Sequence, residues 1–199
     1  HDTGDKIIEP TCTEKGYTLH GCTCDTSAYK DTYTPALGHE FVDGKCTRCG
    51  IDVLDAFTDV KRDSYCADAV QWAVANGITK GTDATHFSPN AGCTRGQVVT
   101  FLWRAAGEPT VGGNVGFVDV APGSYCYEAV KWAVANGITN GTDATHFSPN
   151  ATCTRGQVVT FMYRAEGEPA VGGSNGFVDV APGSYCYNAV QWAVANGIT

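Results

Sequence analysis

Trp72-Ala73-Val74-Ala75-Asn76-Gly77-Ile78-Thr79 returns letter for letter as Trp132-Ala133-Val134-Ala135-Asn136-Gly137-Ile138-Thr139, 60 residues further on. The run from Gly81 to Asn90 returns as Gly141 to Asn150, and Phe57-Thr58-Asp59-Val60 as Phe117-Val118-Asp119-Val120 and Phe177-Val178-Asp179-Val180. Self-similarity at a fixed period marks stacked supersecondary units, none of which closes a core alone. Function in such an array is expected in the seams between units, as recognition rather than chemistry. The third copy reaches only Thr199, part-way through a unit.

Each unit reads as helix, loop, helix, so the expected fold class is all-α. Ser64 is placed to N-cap a helix on which Cys66, Ala69, Val70, Ala73 and Val74 recur at i, i+3, i+4 spacing. Asn76-Gly77 ends it, with glycine available for the left-handed position past the cap. A polar loop follows to Asn90, with Phe87 tucked and Ser88-Pro89 as a turn. Thr94-Arg95-Gly96-Gln97 then has the spacing of a capping box, in which the Thr hydroxyl and the Gln side chain satisfy each other's backbone amides. Val98, Val99, Phe101, Leu102 and Ala105 form the apolar face of this second helix, and Gly107 stops it.

Arg95 and Arg155 open these second helices, where the helix dipole disfavours a cation by about 0.3–1 kcal/mol. Two readings follow. Each guanidinium clamps a neighbouring carboxylate, Asp119 or Asp179, or each joins the free amides in an anion site with bidentate geometry.

Composition narrows the class further. Hydrophobic residues at 43% and charged residues at 17% suit a folded chain. A net charge of -8 argues against a nucleic-acid partner, which needs a cationic track. The sequence has no apolar run long enough for membrane insertion. His1 looks like the interior of a segment, so a processed or excised fragment is expected. The ten cysteines, with acidic balance and few Lys, suit an extracellular protein. They fall as Cys12, Cys22, Cys24, Cys46 and Cys49 before the repeats, and Cys66, Cys93, Cys126, Cys153 and Cys186 within them.

The combination of Phe-x-Asp-Val, the Ala-Val-x-Trp-Ala-Val-x-Asn-Gly-Ile-Thr run, Phe-Ser-Pro-Asn and Thr-Arg-x-Gln resembles the S-layer homology repeat of bacterial cell-surface proteins, over residues 57–199. The resemblance implies a pseudo-threefold bundle with repeats at 57–116, 117–176 and a partial 177–199, preceded by a small Cys-rich loop or β domain at 1–55. It implies inter-repeat grooves that bind secondary cell-wall polysaccharide, often through an acidic pyruvylated sugar. Arg95 and Arg155 match the arginine of the family's Thr-Arg-Ala-Glu motif. Gly81, Gly141, Asp119 and Asp179 would line the grooves, and Gln97 and Gln157 stand where the family has Glu. The implied role is non-covalent anchoring of a surface protein at the cell wall, with no enzymatic activity. The alternative is a self-associating structural subunit whose partial third repeat is completed by a neighbouring chain. Residues 10–50 more loosely resemble Cys- and Gly-rich repeats of Gram-positive surface proteins.

Two bridges, Cys66–Cys93 and Cys126–Cys153, are expected from the shared 27-residue spacing and from positions that the family fills with core residues. Cys186 would then be a free thiol, a partner of the fifth N-terminal cysteine, or a link to another chain. Cys22, Cys24, Cys46 and Cys49 form a candidate zinc site, with Cys12 or His39 as substitutes, and disulfides are the competing reading. No other cofactor is required. His86 and His146, duplicated in the loop, read as structural. Trp72, Trp132 and Trp192 read as core, with a sugar-stacking platform as the sharper alternative.

Overall fold

The computed structural model describes residues 4–21 and 28–199. It corrects the expected fold class: the chain is mixed, 28% helical and 13% strand, rather than all-α. The strands come from the first fifty residues. There β1 (Gly4–Ile8), β2 (Gly16–Gly21) and β3 (Ala28–Thr34) form an antiparallel meander in the order β1-β2-β3. Tyr17 and Leu19 alternate with Thr18 and His20 at the two-residue period of a strand, and in β3 the β-forming Tyr29 and Tyr33 flank a polar stretch. β4 (Phe41–Val42) and β5 (Lys45–Cys46) pair as a hairpin whose turn, Asp43-Gly44, has positive φ at both residues (50° and 77°). Asp-Gly is the pairing that such a turn favours.

The chain divides into two compact units, residues 1–90 and 91–199. The first joins the hairpin to the start of the first repeat. A single-turn helix, α1 (Val53–Ala56), is capped by Asp52, whose carboxylate accepts from the Leu54 amide at 3.0 Å. Val53, Leu54, Phe57 and Val60 pack with Val70 and Val74 of α2 (Ala67–Ala75), and Phe41 of β4 meets Phe57. The N-cap of α2 is Cys66, without a side-chain cap, and not Ser64. Ser64 lies one turn earlier, where its carbonyl accepts from the Ala67 amide. The C-terminus of α2 is as expected: the Gly77 amide donates to Val74 and the Ile78 amide to Ala73, with Gly77 at φ 69°.

The second unit holds α3 (Arg95–Ala105), α4 (Tyr127–Ala135), α5 (Arg155–Ala165) and α6 (Tyr187–Ala195). Helix packing crosses the sequence repeats. The second helix of one copy lies on the first helix of the next, α3 on α4 and α5 on α6, and α3 also touches α5. Ala129 and Ala133 of α4 are wholly buried beside Val98, Val99, Ile138 and Phe147. The second unit therefore buries Trp132 and Trp192, each 8% exposed; Trp192 meets Tyr163 of α5 at 5.9 Å. Trp72, by contrast, is 60% exposed, which corrects its assignment to the core. In the first unit α2 packs against α1 and β4, and neither covers that face. Among the described residues no helix is long and apolar enough to cross a membrane.

Candidate functional site

The capping box forms as the sequence dictates. The Gln97 amide donates to Thr94 Oγ1 and the Thr94 amide to Gln97 Oε1. The first two amides of α3 are not left for a ligand, however. Arg95 N–H donates to Ala151 O and Gly96 N–H to Pro149 O, both at 2.9 Å, so the loop of the following repeat satisfies the helix start. The Arg95 side chain follows its backbone inward and is 5% exposed. Its Nε donates to Phe147 O at 2.9 Å, and its guanidinium lies 4.9 Å from the Phe147 ring and 5.2 Å from that of Phe161. Burial lowers its pKa, opposed by Cys153 and Asp119.

The loop that meets Arg95 is built from its own polar residues. Asp119 accepts from the Phe147 amide at 2.9 Å and the Ser148 amide at 2.8 Å, and Asp59 repeats this with Phe87 and Ser88. Burial works to raise both carboxyl pKa values, but the amides outweigh it and hold them below the usual range. Ser148 sits at φ 60°, a strained position for a non-glycine residue, fixed by these bonds and by Thr142. Gly141, at φ 83°, approaches Phe117 and His146 so closely that a Cβ would stand 2.5 Å from Phe117 Cε1 and from the His146 carbonyl. His146 Nδ1 lies 3.0 Å from Asp143, whose pKa falls to about 2 through the Thr145 amide first and His146 second. The duplicated histidines thus have a structural contact in each loop.

Arg95 and Gly141 come together in a cleft of about 150 Å³ that Thr139, Gln157 and Phe161 also line. Arg164 and Tyr185 complete it, two residues that sequence reasoning did not single out. Arg164 donates to Ile138 O at 3.3 Å and pairs with Glu168 at 3.4 Å. Tyr185 leans on the start of α5: a Cβ at Gly156 would stand 2.7 Å from its hydroxyl. The repeated Gly-Ser-Tyr-Cys ahead of each first helix in the second and third copies carried that signal, alongside the glycine in Thr-Arg-Gly-Gln. Among the described residues two arginines line the cleft, Arg95 and the Glu168-paired Arg164.

The remaining expected positions are not gathered there. Asp119 is committed to its loop amides and forms no clamp with Arg95. Arg155 is exposed and donates to Thr199 Oγ1 at 3.3 Å, and Asp179 is exposed. Gly81 belongs to the first unit, where it lines a separate cleft with Lys80 and Arg48.

Cys66, Cys93, Cys126, Cys153 and Cys186 are thiols in the structure, without the expected Cys66–Cys93 and Cys126–Cys153 bridges. Cys93 instead adjoins Cys153, whose amide donates to Cys93 O at 2.9 Å. Cys126 is enclosed in the core at 1% exposure, which pushes its thiol pKa up. Cys22 and Cys24 lie outside the described residues. Cys46 and Cys49 meet Cys12 and His39, with their ligand atoms all within 4.8 Å of one another. Burial pushes the Cys12 thiol up; at Cys46 burial acts the same way, but backbone bonds from Cys49, Glu40 and Arg48 and the His39 side chain hold it low.

The S-layer homology domain family matches residues 56–99 and 116–159. Three relatives carry similar sequence. The chain is 33% identical over 144 residues to a surface-layer 125 kDa protein of Lysinibacillus sphaericus, covering 69% of this chain and 12% of that protein. It is 30% identical over 123 residues to a cell surface protein of Thermoanaerobacter kivui, covering 59% of this chain and 16% of the relative. An endoglucanase of Bacillus sp. (strain KSM-635) is 30% identical over 109 residues, 55% of this chain and 11% of the enzyme. The chain thus spans well under a fifth of the length of these relatives. Residues 56–99 and 116–159 are S-layer homology domains, a module of the bacterial cell surface and wall.

Proposed function

We propose that the repeats tether a larger surface protein non-covalently to an acidic secondary cell-wall polysaccharide, with the glycan's anionic group seated in the cleft between α3 and α5. The observation that carries this reading is that Arg95, which forms no ion pair among the described residues, and Arg164, which shares its charge with Glu168, line one cleft. The bond from Arg95 Nε to Phe147 O holds the guanidinium beside the Phe147 and Phe161 rings at the cleft wall; a carboxylate such as that of a pyruvylated sugar suits the fork of an arginine. Phe161 and Tyr185 give apolar and hydroxyl surface for a sugar ring, and Gly141 lets backbone approach it.

Co-sedimentation with purified cell-wall sacculi tests the reading. The wild-type chain should pellet with sacculi, and chemical removal of the acidic glycan should abolish this. Arg164→Ala should weaken pelleting at least tenfold, whereas Arg155→Ala, outside the cleft, should leave it unchanged. A chain that sediments alone without sacculi would support the self-assembling alternative and overturn this one.

A further inference from the structure

Among its described residues the N-terminal segment has no apolar core of its own. Among the described residues before Ile51, the buried ones are Cys12, Gly16, Gly44 and Cys46. Ile7, Tyr29, Tyr33, Leu37 and Val42 are all more than half exposed. A segment of this size with no buried aliphatic residue needs a cross-link to hold one conformation. Its two buried side chains are both cysteines, and they face each other.

We infer that Cys12, His39, Cys46 and Cys49 form a structural zinc site. Cys12 Sγ lies 3.8 Å from Cys46 Sγ, and His39 Nδ1 lies 3.5 Å from Cys49 Sγ. A tetrahedral ion with Zn–S near 2.3 Å and Zn–N near 2.0–2.1 Å sets its sulfurs about 3.8 Å apart and sulfur from nitrogen about 3.5 Å. The two separations match two of that tetrahedron's six edges, and all four donor atoms lie within 4.8 Å of one another. A disulfide would bring two sulfurs to about 2.05 Å and leave the other two donors without a role.

The backbone places each donor. His39 enters the β4–β5 hairpin and Cys46 leaves it, so the hairpin's register fixes their separation. The turn after Cys46, closed by the Gly50 amide on Cys46 O at 2.8 Å, swings Cys49 back toward it. Cys12 arrives from the loop between β1 and β2 and is latched by two bonds: the Leu37 amide to Thr11 O and the Gly38 amide to Cys12 O. The ion therefore ties that loop to the hairpin. Three thiols lose their protons to solvent on binding, and the neutral imidazole binds through one ring nitrogen. Cys22 and Cys24, the other half of the set that sequence spacing suggested, are not ligands in this assignment.

Metal analysis of the full chain, purified from zinc-supplemented culture, tests the site independently of wall binding. One zinc per chain is expected, with cobalt substitution giving the visible absorption of a tetrahedral thiolate complex. Cys46→Ser and His39→Ala should lower the zinc content toward zero, and Cys22→Ser with Cys24→Ser should leave it at one. A wild-type chain without stoichiometric zinc, in which non-reducing peptide mapping finds Cys12 or Cys46 in a disulfide, would overturn the inference. Zinc that survives His39→Ala but is lost with Cys22 and Cys24 would overturn the donor set.

Discussion

Arg95 donates to the carbonyl of Phe147, fifty-two residues later in the chain, and lies over the ring of the same residue. One side chain thereby joins the second helix of one repeat to the loop of the next. The contact is both a fixture of the second unit and a wall of its cleft, so stability and recognition are coupled at this residue.

Arg95→Ala should therefore destabilise the second unit by about 2–3 kcal/mol, because it leaves a buried carbonyl unpaired and removes a charge-assisted bond. The exposed Arg155→Ala should cost under about 0.5 kcal/mol. Urea unfolding followed by tryptophan fluorescence separates the two, since Trp132 and Trp192 lie in the unit concerned.

Gly141→Ala should be among the most damaging single changes. It combines a left-handed φ of 83° with backbone and ring atoms 2.5 Å from the added carbon, none of which is a flexible side-chain end. A loss of about 2–4 kcal/mol is expected from strain and overpacking together. Gly137→Ala, with a similar φ of 70° but open space around it, should cost about 1 kcal/mol. Thermal melts of the two variants side by side check the difference.

Acid should loosen the loops. Asp59 and Asp119 are depressed in the folded state, so the stability they contribute is complete above the unfolded carboxyl pKa of about 3.9 and is lost as pH falls through the folded values. The urea midpoint should hold from pH 7 to about 5 and drop below about 4. Asp119→Asn should lower stability at pH 7 by about 1–3 kcal/mol and flatten part of that acid limb.

The N-terminal meander should respond to pH in the opposite sense. His20 lies between Asp5 at 2.7 Å and Asp31 at 2.8 Å, and its hydrogen bond to Asp31, then that to Asp5, raises its pKa above 6.5. Its contribution is complete below 6.5 and is lost as pH rises through the raised value. Amide protection in β1–β3, corrected for intrinsic exchange, should hold below about pH 6.5 and fall as pH rises through the raised His20 value, and His20→Asn should remove that dependence.

What the sequence determined by itself was local. The sixty-residue period stands in the letters themselves, and the capping box at Thr94 and Gln97 and the glycine stop at Gly77 follow from contacts within a few residues, where side-chain type and spacing decide the outcome. The family followed from the same short motifs. Only the tertiary structure decided that α3 packs on the helix of the next copy, that Arg95 is buried while Arg155 is exposed, and that Trp72 is bare while Trp132 is covered. Identical letters met different neighbours, and burial belongs to the neighbour as much as to the residue. The same holds for the cysteines: the sequence offered Cys12 or His39 only as substitutes, and strand register with the Leu37 and Gly38 amides brings both to Cys46 and Cys49.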